Sequence, residues 1–88
     1  MGTYKVVFRK TAEHDLKNVD TQFRSQIADA IDRFAEEPFP RNFKHFKKIS
    51  GFFILRKGRY RIIYSFDAST KTVTIDHIHP RTEDRDTY

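Results

Sequence analysis

The sequence contains no cysteine, which excludes a disulfide framework and any metal site built from thiolates. It also has no apolar run long enough to cross a membrane, and its N-terminal segment lacks the apolar core of a signal peptide. A length of 88 residues leaves room for one folded domain. These absences favour a single domain over residues 1–88 that is soluble and located in the cytoplasm.

Acidic residues are also missing from one long segment, residues 41–61. This segment carries eight Lys or Arg side chains, whereas the rest of the chain has nine of them against twelve Asp or Glu. Phenylalanine and isoleucine are interleaved with these bases, so the segment is predicted to fold and not to form a solvated tail. A concentrated positive charge on a folded surface is typical of proteins that bind a polyanion, above all a phosphate backbone.

The N-terminal half is predicted to form a strand followed by two helices. Alternating side chains over residues 3–9 predict a strand with one buried face. Thr11 is a suitable N-cap for a short helix, and Asp20 for a longer one. The longer helix carries one apolar stripe at three- and four-residue steps, formed by Phe23, Ile27, Ala30, Ile31 and Phe34. Pro38 and Pro40 prevent its continuation.

Residues 51–79 are predicted to form three antiparallel strands. A two-residue turn at Lys57 and Gly58 would join the first two strands and place Ile54 directly opposite Arg61. Alternation then gives this hairpin one apolar or aromatic face, which the helices should cover, made of Phe53, Leu55, Tyr60, Ile62, Tyr64 and Phe66.

The last strand, residues 72–79, has an irregular pattern. Val73, Ile75 and Ile78 can share one face only if the strand contains a β-bulge. Together the elements predict an α+β fold in the order β-α-α-β-β-β, with two helices packed on one face of a twisted, mainly antiparallel sheet. The opposite face of the sheet would then be exposed to solvent.

This exposed face is predicted to carry an arginine patch formed by Arg56, Arg59 and Arg61. Arginine keeps its charge and offers a planar fork of donors that suits phosphate oxygens. Arg56 and Arg59 lie beside the turn, where they are equally consistent with ordinary outward-facing residues. Arg61 lies mid-strand among isoleucines, where a charge needs an anion or a carboxylate as its partner. We therefore predict a phosphate-binding site around Arg61.

Side chains that could transfer protons follow in the C-terminal region. His79 and Arg81 lie at the end of the last predicted strand, and Tyr88 lies further along. Histidine can relay a proton near neutral pH, arginine can stabilise a phosphorane-like charge, and a tyrosine hydroxyl can donate or accept a proton. Metal-free RNA cleavage needs such a set. His77 and His79 are also consistent with two ordinary strand residues.

Neither a metal site nor a cofactor site is predicted. His77 and His79 are two residues apart on a strand, but Asp76 between them would point to the opposite side, which makes a poor ligand set. The sequence contains no glycine-rich phosphate loop.

The pattern R-x-G-x-Y-R-I-I-Y over residues 56–64 resembles the most recognisable segment of the RelE/ParE superfamily of bacterial toxins. The run His79-Pro80-Arg81 and Tyr88 extend this resemblance, which covers nearly the whole chain. Members of the RelE branch are ribosome-dependent endoribonucleases that cut mRNA without a metal, whereas ParE members inhibit DNA gyrase. A small antitoxin neutralises both. The resemblance implies the toxin of a type II toxin–antitoxin system, with an antitoxin, mRNA and ribosomal RNA as partners and no role for a membrane.

The resemblance to the RelE branch implies a role for each candidate residue. Arg61 and Arg81 would bind and stabilise the phosphate, while His79 and Tyr88 would serve proton transfer or base stacking. The basic residues expected to dock ribosomal RNA are Lys44, Lys47, Lys48, Arg56 and Arg59. From the residue pattern alone, the three lysines are equally consistent with a solvated face.

One departure from the RelE pattern leaves other functions open. Well-known RelE members carry two lysines where this chain has Phe52 and Ile54, so a cation expected beside the phosphate is missing. Two alternatives therefore stand beside the mRNA endonuclease. One is a ParE-like inhibitor of DNA gyrase, and the other is a basic nucleic-acid-binding module without catalysis.

Overall fold

The structure, a computed structural model, describes residues 3–40, 43–45 and 51–80. Its elements are β1 (Lys5–Phe8), α1 (Lys10–Lys17), α2 (Thr21–Arg33), β2 (Phe43–His45), β3 (Phe52–Lys57), β4 (Tyr60–Asp67) and β5 (Thr72–Pro80). The strands form one sheet in the order β1-β5-β4-β3-β2, in which β1 runs parallel to β5 and the other pairs are antiparallel. The α+β fold is confirmed. The short edge strand β2 is an addition, since three residues are too few to show a period of two.

The main core lies between the two helices and one face of the sheet. The predicted α2 stripe supplies Ile27, Ala30, Ile31 and Phe34, all buried, with Phe23 partly buried beside them. From the sheet come Leu55, Tyr60, Ile62 and Tyr64, as the predicted alternation requires. The ring of Phe34 lies 4.4 Å from that of Tyr64, whose hydroxyl donates a hydrogen bond to the carbonyl of Pro38.

The hairpin of β3 and β4 has a different register from the predicted one. Its turn consists of Gly58 and Arg59, so that Arg61 pairs with Arg56, and Ile54 pairs with Ile63. Gly58 has a φ of +59°, which a glycine adopts without strain at the first position of a tight hairpin turn. The register differs by two residues from the prediction. Because side chains alternate with a period of two, this difference leaves each residue of the two strands on its predicted face.

The β-bulge expected in the last strand is present. Tyr64 pairs with Ile75 and Ile63 pairs with His77, so that Asp76 is an extra residue in β5. As a result Val73, Ile75 and Ile78 are all buried in the main core. The bulge also places His77 and His79 on the opposite face of the sheet from Ile78.

The N-terminus of α1 differs from the prediction. The helix begins at Lys10 with Arg9 as its N-cap, because Arg9 is the last residue with extended backbone angles. The prediction of Thr11 as the N-cap is therefore wrong. Its hydroxyl instead donates to the carbonyl of Asp76 at 2.8 Å. The prediction that Asp20 precedes α2 is confirmed, although its carboxylate makes no capping bond.

The side chains of α1 cover part of the edge of β5. β1 pairs with β5 only over residues 72–75, so within the described residues the edge beyond Ile75 has no strand beside it. Thr11 bonds to the carbonyl of Asp76, and the carboxylate of Asp15 accepts the backbone N–H of Ile78 at 3.0 Å. The two side chains lie one helical turn apart and so reach the same edge. None of the described helices has both the length and the apolar character needed to span a bilayer.

The turn between β4 and β5 provides a test of pH-dependent stability. One carboxylate oxygen of Asp67 accepts hydrogen bonds from the hydroxyl and backbone N–H of Ser69, at 2.7 and 2.9 Å, and these bonds lower the pKa of Asp67. Because the folded pKa is lowered, the stabilisation is present above the unfolded pKa and disappears as pH falls through the folded one. An Asp67→Ala variant should therefore unfold at a lower temperature than the original protein at neutral pH.

That difference in unfolding temperature should shrink as the pH falls through the folded pKa of Asp67, because the protonated carboxyl group no longer gives this stabilisation. Thermal unfolding followed by circular dichroism measures the unfolding temperature of each protein at each pH. Asp29→Ala, which removes an exposed carboxylate from α2, is the control. If the difference in unfolding temperature between Asp67→Ala and the original protein were as large in acid as at neutral pH, the Asp67 carboxylate would not be what stabilises the turn.

Candidate functional site

Strand pairing brings three of the predicted site residues into one row. Arg61 in β4 lies between His79 in β5 and Arg56 in β3, each its direct partner. All three alternate with residues of the main core, so they lie on the face of the sheet away from the helices. The next row contains His77, Ile63 and Ile54, followed by Lys44 in β2. In the first row, two arginines and an imidazole thus lie on directly neighbouring strands.

This face is not open to solvent where the prediction placed the arginine patch. Arg61 is only 5% exposed, and the neighbouring Ile54 and Ile63 are 5% and 4% exposed. The prediction of an exposed Arg61 is therefore wrong, although the residue does point away from the main core. On the same face, Ile54, Ile63 and Phe52 form a second hydrophobic cluster, which the sequence-based prediction of an open face did not include. A guanidinium shielded in this way interacts more strongly with an anion than one in bulk water.

Arg59 does not join Arg56 and Arg61. It is a residue of the β3–β4 turn, and its guanidinium carbon lies 6.0 Å from the ring centre of Phe23 in α2. The prediction that Arg59 shares their face is wrong, because the true register makes it a turn residue and not a strand residue. Arg56 is half-buried and remains directly opposite Arg61. Directly opposed residues on one face of a sheet are close enough for both side chains to reach one anion.

The histidines of β5 gather around a carboxylate that the sequence analysis did not single out. The Oδ2 atom of Asp15, in α1, lies 3.5 Å from Nδ1 of His77 and 3.8 Å from Nε2 of His79. The two imidazole rings are 4.9 Å apart. All three side chains are partly exposed. The only local signal for this contact is the polar pair Thr11 and Asp15, one turn apart on a short helix, and it does not say which strand the helix will meet.

The surroundings of His79 lower its pKa. Partial burial contributes most, and the nearby His77 and Arg61 act in the same direction, while Asp15 opposes them. The imidazole of His79 is therefore mainly uncharged at neutral pH. An uncharged imidazole can accept a proton or share its lone pair with a cation. Either use requires access, which the partial exposure of the ring provides.

Four of the predicted site residues lie outside the described residues, and they are Arg81, Tyr88, Lys47 and Lys48. Lys44 is described through its backbone, which pairs with Ile54. The described part of the predicted site is therefore the row of His79, Arg61 and Arg56, with His77 and Asp15 beside it. The roles of the other residues stay predictions.

Comparisons with known proteins give a consistent family and fold. A family model described as the ParE toxin of the type II toxin–antitoxin system, parDE, matches residues 6–85. The RelBE2 toxin–antitoxin complex from Mycobacterium tuberculosis contains a chain with 28% identity and a TM-score of 0.78, and the match covers 89% of this chain and 98% of that one. A comparison with curated protein sequences gave no match.

Two further solved structures share the fold at lower identity. The archaeal RelE–RelB complex from Pyrococcus horikoshii matches at 24% identity and a TM-score of 0.75, covering 92% of this chain and 98% of that one. The isolated RelE toxin of E. coli matches at 14% identity and a TM-score of 0.80, covering 94% and 89%. The fold described above is thus shared over nearly the full length of each protein.

Proposed function

The chain belongs to the ParE toxin family of type II toxin–antitoxin systems, and on the basis of its site residues we propose that it is a ribosome-dependent endonuclease that cleaves mRNA. The observation that carries the proposal is the row of His79, Arg61 and Arg56 across three neighbouring strands. It combines a group able to exchange protons with two cations suited to a phosphate.

Cleavage would proceed by attack of the ribose 2′-hydroxyl on the adjacent phosphorus. The 2′-oxygen loses its proton and forms a bond to phosphorus, while the bond from phosphorus to the 5′-oxygen breaks and that oxygen takes up a proton. The products are a 2′,3′-cyclic phosphate and a free 5′-hydroxyl. Negative charge accumulates on the phosphate oxygens between these steps. Preorganised cations lower the barrier by stabilising that charge.

The residues of the row have distinct roles in this proposal. Arg61 binds the scissile phosphate from a site shielded from water, where its interaction with an anion is strongest. Arg56, directly opposite, contacts the same phosphate or the next one along the RNA. His79 exchanges protons with the reacting oxygens, because it lies beside Arg61 and is partly exposed. The half-buried Arg56 lies on the same face of β3 as Phe52 and Ile54. In this proposal it provides the cation that these two residues cannot supply.

The remaining assignments follow from the resemblance of the C-terminal residues and the basic segment to RelE-type toxins. Arg81 would be a second phosphate ligand, and Tyr88 would serve proton transfer or stacking on a base. Lys44, Lys47, Lys48 and Arg59 would contact the ribosomal RNA backbone, where one contact to each phosphate adds affinity without sequence preference.

A cognate antitoxin is the expected protein partner. The similar structures from M. tuberculosis and P. horikoshii are complexes of a toxin with its antitoxin. We propose that this chain is held inactive in such a complex, in the cytoplasm, until the antitoxin is lost. This part of the proposal holds for an endonuclease and for a gyrase inhibitor alike.

A second candidate function is inhibition of DNA gyrase, and two observations favour it. The matching family model is that of the ParE toxins, and the chain has Phe52 and Ile54 at positions where RelE-type enzymes carry lysines. In that case the chain would bind the topoisomerase and would not itself break a phosphodiester bond. The two candidates differ in what happens to RNA.

Mapping of RNA 5′ ends in cells shortly after induction separates these functions. An endonuclease is expected to produce new 5′ ends inside coding regions, at positions that follow the reading frame, because the ribosome presents each codon in one geometry. The control is a reporter transcript whose start codon has been removed, which should stay intact. New ends that are equally frequent in the untranslated transcript would contradict ribosome dependence. A DNA-damage response without new RNA ends would identify a gyrase inhibitor. If neither a DNA-damage response nor new RNA ends were observed, the non-catalytic nucleic-acid-binding module would be supported.

A further inference from the structure

We propose that Asp15, His77 and His79 form a binding site for a divalent transition-metal ion such as Zn²⁺. One ligand atom from each of the three side chains lies within 4.8 Å of the other two. The site joins α1 to the C-terminal half of β5, and its carboxylate comes from Asp15 and not from Asp76, the neighbour of His77 in sequence. The proposal does not depend on the function proposed above.

The distances between the ligand atoms suit a small metal ion. Ligands about 2.0–2.1 Å from a tetrahedral ion lie roughly 3.3 Å from one another. The carboxylate oxygen of Asp15 is 3.5 Å from Nδ1 of His77 and 3.8 Å from Nε2 of His79, so these two distances need to shorten by only a few tenths of an ångström. The ligand atoms of the two imidazoles lie within 4.8 Å of each other and must approach as the ion binds. Both histidines are partly exposed and can make this adjustment by side-chain rotation. The open side of the site can hold water as a further ligand.

The backbone around the site helps to position all three ligands. Ile78, between the two histidines, donates its N–H to Oδ2 of Asp15 at 3.0 Å, so the strand itself orients the carboxylate. The β-bulge at Asp76 directs both histidines to the same face, and Ile78 is anchored in the main core. The ligands therefore come from rigid elements, which reduces the ordering that metal binding would require.

The chemistry of the donors selects the class of ion. Two imidazole nitrogens and one carboxylate oxygen suit Zn²⁺, Ni²⁺ or Cu²⁺, whereas Mg²⁺ and Ca²⁺ prefer oxygen alone. Arg61, the strand partner of His79, opposes the binding of any cation. Only an ion with strong affinity for imidazole can overcome this repulsion, so a response to Zn²⁺ without a response to Mg²⁺ is expected.

Metal binding has a consequence for cleavage, and this consequence alone rests on the proposed function. An ion held by His79 occupies a nitrogen lone pair of the same imidazole that the proposed reaction uses for proton transfer. Metal binding and RNA cleavage should therefore exclude each other. Addition of Zn²⁺ should inhibit cleavage, and a chelator should restore it.

The binding test uses the purified full-length chain and Zn²⁺ in competition with a fluorescent zinc chelator. One ion is expected to bind per chain, and His77→Ala is expected to weaken binding at least about tenfold, because loss of even an outer-shell partner has that effect. Asp15→Asn should weaken binding similarly. His14→Ala is the matched control, since His14 is an exposed residue of α1 outside the cluster, and its affinity should be unchanged.

Two further measurements keep the outcome decisive. Circular dichroism verifies that each variant is folded, and a rise in unfolding temperature with Zn²⁺ should occur in the original protein and in His14→Ala but not in His77→Ala. NMR signals of the His77 and His79 rings should shift together when the ion is added. Absence of binding, or equal affinity in His77→Ala and His14→Ala, would overturn the site. Binding of Zn²⁺ without inhibition of cleavage would support the site and remove His79 from the proposed reaction.

Discussion

An Arg61→Ala variant is expected to cleave mRNA about 100- to 1,000-fold more slowly than the original protein, since removal of one preorganised group that stabilises a reacting oxyanion has an effect of this size. Among the proposed site residues whose burial the structure describes, Arg61 is the one best shielded from water, at 5% exposure, and it lies between His79 and Arg56. Cleavage of a defined mRNA on purified ribosomes, followed in time by primer extension, measures the effect.

The burial of Arg61 requires a control for folding. Truncation to alanine leaves a cavity beside Ile54 and Ile63, which lowers stability as well as activity. The unfolding midpoint is therefore measured for each variant, and Arg61→Lys is included because lysine keeps the charge but loses the planar fork of donors. We expect Arg61→Lys to be folded and still strongly impaired.

Arg33→Ala is the matched variant for this experiment. Arg33 is an exposed arginine in the last turn of α2, in the helix layer and not in the row on the opposite face of the sheet. Its replacement should leave the cleavage rate within about twofold of the original, as is usual for surface substitutions away from a site. A folded Arg61→Ala protein that cleaves as fast as Arg33→Ala would remove Arg61 from the proposed reaction.

A Phe34→Ala variant should lose about 3–5 kcal/mol of unfolding free energy. Phe34 is fully buried at the end of α2, and its ring packs on that of Tyr64 at 4.4 Å. Truncation leaves a cavity between the helix layer and the sheet and also weakens the contact that positions Tyr64 against Pro38. Since small domains have only about 5–15 kcal/mol of stability, much of the total would be lost. Urea denaturation followed by circular dichroism measures the change.

Phe39→Ala provides the comparison of the same residue type on the surface. Phe39 is 39% exposed, although its ring touches those of Phe53 and Phe66 edge-on. Its loss should cost about 1 kcal/mol, because water already reaches much of the side chain. If the two variants were destabilised equally, the core would not lie between α2 and the sheet as the structure has it.

Local patterns were sufficient to predict most of the fold. The order of elements, the buried stripe of α2 and the two faces of the β3–β4 hairpin all follow from periodicity, which depends on residues a few positions apart. The bulge in β5 could be predicted for the same reason, because Val73, Ile75 and Ile78 cannot otherwise share a face. The hairpin register could not be predicted in this way, since a register that differs by two residues leaves the same side chains on each face.

The candidate site depended more on contacts between distant parts of the chain. The charges of Arg56 and Arg61 and the imidazole of His79 were evident in the sequence, and strand parity was enough to bring them to one face. The position of Arg59 beside Phe23 was not predictable, because it follows from the register. The 5% exposure of Arg61 depends on packing on the face of the sheet away from the helices. The periodicity of the sequence shows which face a residue lies on but not how exposed that face is.

By itself, the sequence determined the α+β class, the core face of the α2 stripe and of the β3–β4 hairpin, and the family, because each of these depends on short-range patterns or on a contiguous motif. The tertiary structure alone decided that Asp15 meets His77 and His79, since the bond from Ile78 to Asp15 joins residues 63 positions apart. That contact exists because β1 ends early and leaves the edge of β5 to α1. A free strand edge needs hydrogen-bond partners, and which helix supplies them is settled only when the chain is folded.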